Sequence, residues 1–189
     1  MRIPQREKER DVMPLSLADL ATLGNTPITI KSWFFPNVYL RMDGAGVTSF
    51  NGSGSGTVNC QFGAGPLEKY KLHRQTDGFF SFESVTWPNV YLRMDGAGLV
   101  PGGAGGGTVN CQFGADTHER FKLFPQSGDS FSFESATVFP GVFLRMVADK
   151  VTVATNQGGG IVNCQYLEDA TRFGPSGGAH ERFILDVAS

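Results

Sequence analysis

Two stretches of this chain present the same four chemically useful residues at the same spacing. Asn37, Tyr39, Arg41 and Asp43 alternate along one stretch, and Asn89, Tyr91, Arg93 and Asp95 along the other. Each set offers an amide, an aromatic ring, a planar guanidinium and a carboxylate. Sugar recognition uses that combination, because apolar C–H faces stack on rings while amide and carboxylate groups take hydroxyls. A third copy keeps Arg145 but has Val147 where the others have Asp43 and Asp95. A carboxylate required by the fold would be expected in all three copies, so its loss marks the two aspartates as ligand-binding candidates. The competing origin is a recent duplication that copied surface together with core.

Other chemistry finds less support. His73, His118 and His180 do not follow the repeat, and no Ser-His-Asp or metal-ligand pattern surrounds them. No carboxylate spacing singles out an acid and a base. The glycine-rich stretches lack the Gly-Lys-Ser/Thr ending of a phosphate loop. Cys60, Cys111 and Cys164 share a strand face with Val58, Val109 and Val162, which reads as small core residues rather than a three-thiolate metal site. Glu68, Glu119 and Glu181 are present in all three repeats, as Arg41, Arg93 and Arg145 are, so structural ion pairing is the expectation for them. Asn59 and Gln61, with their copies, face away from the core and either satisfy loop backbone or meet sugar hydroxyls. The expectation is a non-enzymatic binding module with no cofactor and no metal.

These residues are positioned by a repeat. Residues 36–46 recur without change as residues 88–98, and a looser copy follows from Pro140 to Met146. Arg41, Arg93 and Arg145 stand 52 residues apart at each step, a period that signals a repeat architecture. Each unit opens with an alternating strand: Ile28 to Ser32, Phe80 to Ser84, Phe131 to Ser135. A turn with an aromatic residue and proline leads to a second strand that puts Val38, Leu40 and Met42 on one face. Third strands run from Val58 to Phe62, Val109 to Phe113 and Val162 to Tyr166. Fourth strands run from Glu68 to Leu72, Glu119 to Leu123 and Glu181 to Leu185. Whether residues 47–50 and 150–153 extend the hairpin between the second and third strands is open from the sequence.

Three units of about 50 residues with four strands each describe an all-β fold, a β-trefoil. Six strands form a barrel and six form hairpins that close one end; a three-bladed propeller is the formal competitor. One unit cannot bury its apolar face alone, so residues 27–189 are expected to form one domain, with repeats of about 27–79, 80–130 and 131–189. Residues 1–26 are an extension: a mixed-charge tail from Arg2 to Asp11, then a helix capped by Ser16, running from Leu17 to Leu23 and stopped at Gly24. Its leucines are placed to cover an open end of the domain. The third repeat carries an insertion from Leu167 to Ala179 that could reshape its site.

Charge is near balance, with 16 Lys+Arg against 18 Asp+Glu, which gives no electrostatic reason to expect nucleic acid or an anionic membrane. No run is long and apolar enough for a membrane span. The first residues do not read as a secretory signal, and three symmetry-related cysteines cannot all be bridged. The expected location is cytoplasmic, or outside the cell by a route without a classical signal.

Two family resemblances accompany these motifs. The run from Val109 to Gln112, with Glu119 to Leu123, resembles the closing half of a fascin-type trefoil repeat. The run from Ser132 to Ser135, with Phe139 to Arg145, is similar to the arabinose-binding trefoil modules of fungal arabinofuranosidases. Where those modules usually have His after the second-strand Arg, this chain has Met42, Met94 and Met146. Where they have Asp before the fourth-strand aromatic, it has Leu67, His118 and His180. The first expectation is a lectin-like glycan binder with up to three related shallow sites, the first two near-identical. The fascin resemblance implies the alternative, a module that binds actin or another cytoplasmic protein.

Overall fold

A computed structural model describes residues 14–103, 105–167 and 178–189 of the chain. The expected charged tail and most of the expected insertion fall outside them. Among the described residues there are twelve strands. The first repeat contributes β1 (Ile28–Ser32), β2 (Val38–Asp43), β3 (Gly56–Phe62) and β4 (Lys69–Arg74). The second contributes β5 (Phe80–Ser84), β6 (Val90–Asp95), β7 (Thr108–Phe113) and β8 (Phe121–Gln126). The third contributes β9 (Ser130–Ser135), β10 (Val142–Val147), β11 (Ile161–Tyr166) and β12 (Phe183–Val187).

Six of these strands close on themselves. Antiparallel pairing runs β1–β4, β4–β5, β5–β8, β8–β9, β9–β12 and β12–β1, which leaves the barrel without a free edge. The remaining strands form three hairpins, β2–β3, β6–β7 and β10–β11. Their registers correspond from copy to copy, with Leu40 opposite Cys60, Leu92 opposite Cys111 and Leu144 opposite Cys164. The stretches left open from the sequence do not lengthen these hairpins: β2 ends at Asp43, β10 ends at Val147, and Val47 instead folds inward.

The core follows the alternation of the strands. Ile30, Phe82 and Phe133 from the opening strands meet Tyr70, Phe121 and Phe183 from the closing strands, and all six are fully buried. Phe82 stacks on Phe133 with centroids 5.1 Å apart. Tyr70 is the odd member, and its buried hydroxyl donates to the Leu40 carbonyl at 2.9 Å, which makes a polar tip tolerable there. Each fourth strand starts one residue or two later than expected, because Glu68, Glu119 and Glu181 end 3₁₀ turns (Pro66–Glu68, Thr117–Glu119, Ala179–Glu181). A turn in that place aims each carboxylate inward.

The helix of the extension is a single turn, α1 (Leu17–Leu20), rather than the seven residues expected. Ser16 and Asp19 form a reciprocal capping box, and Gly24 takes a left-handed conformation just beyond. Leu20 is buried in the main core, and the Leu15 N–H donates to the Leu185 carbonyl at 2.9 Å. Leu20→Ala is expected to cost about 2–4 kcal/mol in a denaturant titration of the full chain. A loss below about 0.5 kcal/mol would mean that the extension does not belong to the cooperative unit.

Candidate functional site

The candidate residues of the first two repeats divide between surface and interior. Asn37 and Asn89 are exposed at turns, with φ of 56° and 63°, and Tyr39 and Tyr91 are half-buried. Arg41 and Arg93 are buried, although they alternate to the outer face of their strands. The cover comes from the 3₁₀ turn of their own repeat and from the loop of a neighbouring one. Arg41 Nη2 donates to Asp43 Oδ2 at 2.9 Å and to the Asn156 carbonyl at 3.0 Å. Arg93 Nη2 repeats this with Asp95 Oδ2 and the Gly52 carbonyl, both at 2.9 Å. The other aspartate oxygens accept from the Ala45 and Ala97 N–H groups. Burial pushes the Asp95 carboxyl up, but the Ala97 N–H and the Arg93 guanidinium outweigh it and hold it below its ordinary value. Asp43 and Asp95 are thus engaged with internal partners.

The expected Glu–Arg pairs are present in all three repeats. Nε–Oε1 distances are 4.0 Å for Arg41–Glu68, 3.7 Å for Arg93–Glu119 and 3.4 Å for Arg145–Glu181. Asn59 and Asn110 donate to the Gln157 and Ser53 carbonyls at 2.8 Å, so their amides hold neighbouring loops. The three cysteines are free and fully buried, and burial pushes each thiol up to about 12. They are packing groups, and among the described residues no cluster of His, Cys, Asp and Glu could hold a metal.

The third repeat departs from this pattern at three points that meet in space. First, Val147 removes the in-strand carboxylate, and the Arg145 side chain is 18% exposed against 4% and 3% for Arg41 and Arg93. Second, Glu68 and Glu119 each accept a backbone N–H, from Gly65 at 2.6 Å and Asp116 at 2.7 Å. The corresponding Gly178 has a left-handed φ of 77°, and Glu181 makes no such capping box. Third, Thr86 and Thr137 tie the turn after their opening strands to the first carbonyl of a 3₁₀ turn, at Pro66 and Thr117. Phe34 stands at the same offset in the first repeat and has no hydroxyl to donate. It lies instead against His180, with centroids 5.4 Å apart, while Phe35 stacks on the same imidazole at 5.3 Å.

The result is a cavity of about 410 Å³ on the seam between the third and first repeats. Phe34, Arg145, Gln165, His180 and Glu181 line it, with Gly178 and Ala179. Phe34 is 50% exposed. Burial raises the Glu181 carboxyl to about 7, and the Arg145 guanidinium only partly opposes this. Burial and Arg145 together lower His180, while Asp149 acts against them. Of the eight residues singled out as ligand-binding in the first two repeats, none lines this cavity, whereas Gln165, the third-repeat copy of Gln61, does. Its discoverable signals were the departures themselves: Val147 for Asp, Phe34 for Thr, and the glycines before Ala179.

No family model matches the chain, and no curated protein matches it in sequence. Solved structures do match. A mosquitocidal holotoxin is similar over 87% of this chain, with a TM-score of 0.62 and 9% identity, and the chain spans 17% of that protein. The designed three-fold symmetric protein ThreeFoil matches over 85% of this chain and 97% of its own, with a TM-score of 0.59 and 12% identity. SeviL, solved bound to asialo-GM1 saccharide, matches over 87% and 99%, with a TM-score of 0.54 and 10% identity. With the closed barrel and its three hairpins, these likenesses define the class: the chain is a β-trefoil protein.

Proposed function

We propose that this chain is a non-enzymatic carbohydrate-binding module whose principal site is the seam cavity between the third and first repeats. The observation that carries the reading is the exposed Phe34 ring facing Arg145, Gln165 and Glu181 across a cavity of about 410 Å³. That volume suits one or two sugar rings, and the lining pairs an apolar face with planar polar groups. The trefoil neighbour bound to a saccharide is in keeping with the reading, although the sequences share only 10% identity. The first two repeats have a lesser part in it. A sugar at Asn37 and Tyr39, or at Asn89 and Tyr91, would meet rings and amides without the charged pair. Weak sites on one rigid body would add through multivalency.

A glycan array probed with the full chain tests this, in parallel with Phe34→Ala. The parent is expected to select a coherent glycan set, and Phe34→Ala to lose at least about tenfold in affinity. Because Phe34 is half exposed, the variant should melt close to the parent, within about 1 kcal/mol of stability. Undiminished binding by Phe34→Ala would overturn the assignment of the site. Silence from the folded parent would overturn the carbohydrate reading and direct attention to protein partners.

A further inference from the structure

We propose that the seam cavity takes a sugar bearing a carboxylate, with Arg145 binding that carboxylate and Phe34 stacking on the ring. The inference deepens the carbohydrate-binding reading and rests on it. Its starting point is the comparison of three equivalent arginines. Arg41 and Arg93 each have a carboxylate within their own strand, 2.9 Å from Nη2, and a second on the 3₁₀ turn. Arg145 has Val147 in the first place. Among the described residues its partners are Glu181 at 3.4 Å and Asn163 Oδ1 at 3.4 Å. A guanidinium presents five N–H donors in a planar fork that matches a carboxylate, and the cavity exposes part of this one. A ligand carboxylate would supply the anion that Asp43 and Asp95 supply elsewhere. A neutral sugar would supply no such anion.

Glu181 is the group that could oppose an acidic ligand, so its charge matters. Among the described residues the groups that face it are Arg145 from β10, uncharged Gln165 from β11, uncharged Phe34 from the β1–β2 turn, and His180 beside it on the same 3₁₀ turn. Asp149, just beyond β10, acts on His180. Burial raises the Glu181 carboxyl to about 7, and the backbone donor that holds Glu68 and Glu119 has no counterpart at Gly178. Below that pH it is protonated, and Arg145 keeps its charge for the ligand. Above it, Glu181 ionises, reclaims Arg145 and repels a second carboxylate. Acid-sugar affinity therefore falls as pH rises, by roughly eightfold between pH 6.5 and 8 for a ligand that binds only the protonated form. Affinity for a neutral sugar should stay flat.

The test is ligand-detected NMR on the full chain with D-glucuronic acid and N-acetylneuraminic acid, against glucose and galactose, at pH 6.5 and 8. At least one acid is expected to bind about tenfold more tightly than the neutral sugars at pH 6.5 and to lose that advantage at pH 8. Arg145→Gln should remove the preference, and Glu181→Gln should keep it at both pH values. If Arg145→Gln does not fold, the parent's own ranking of glucuronic acid and glucose decides. Equal binding of acids and neutral sugars would overturn the acid-sugar assignment and leave the carbohydrate reading standing. No binding of any sugar here or on the array would overturn both.

Discussion

Arg93→Met is expected to lower the stability of the folded chain by about 3–5 kcal/mol, a large share of what holds a domain together. Methionine keeps much of the length and apolar stem of the side chain, so the loss would report the charge and its hydrogen bonds. Arg93 is 3% exposed, and its Nη2 reaches Asp95 within the strand and the Gly52 carbonyl in the neighbouring repeat. Glu119, fully buried, sits 3.7 Å from Nε. Removing the cation leaves two carboxylates and a carbonyl facing an apolar group. Glu119 can respond by holding a proton, since burial already raises its carboxyl above the ordinary value. The folded state would then bind a proton that the unfolded chain releases, so stability falls as pH rises and the deficit should be larger at pH 8 than at pH 5. Denaturant midpoints of parent and variant at both pH values measure this. A loss under about 1 kcal/mol would show that the buried pair has little structural weight, and would return Asp95 to the list of groups free to meet a ligand.

The same arginine shows what could be read before any coordinates. The period between Arg41, Arg93 and Arg145 established the three units, and the alternation of Val38, Leu40 and Met42 gave the buried face of the hairpins. The recurring glutamates read as ion-pair partners because every repeat has one, as it has the arginine, and they are paired. Local pattern was enough for these features, since every copy obeys it. The cavity was not legible by that route, because it exists where the pattern fails. Asp43 and Asp95 were weighed as ligands on account of Val147, whereas the valine leaves Arg145 without an in-strand counterion. Phe34 and His180 are far apart in sequence and meet only because β1 pairs with β12 and brings the first repeat against the third. No spacing rule reports that contact, and Gly178 reads as one glycine among many until its φ of 77° is seen.

Gly107→Ala is the second change with a large expected effect, at about 3 kcal/mol of destabilisation. The glycine-rich connections read from the sequence as hairpin loops, but three of their glycines pack on the cysteines in a closed ring. Gly56 lies over Cys111, Gly107 over Cys164 and Gly160 over Cys60, so each repeat is locked to the next. A Cβ at residue 107 would overlap Cys164 Sγ and lie 2.9 Å from both the Asp95 carbonyl oxygen and Leu99 Cδ1. Only the leucine end can move easily. The protonated Cys164 thiol also donates to that Asp95 carbonyl at 3.4 Å, so the sulfur is held where the new methyl would go. Cys164→Ala alone should cost about 1 kcal/mol, for a small cavity and one weak hydrogen bond. Combined with Gly107→Ala it removes the atom that clashes, and the double variant should lose less than the sum of the single losses by at least about 1 kcal/mol. The rescue is partial, because the carbonyl contact survives. Strict additivity in denaturant midpoints would mean that the sulfur is not what excludes a side chain at residue 107, and the ring of contacts between repeats would lose its explanation for the glycines.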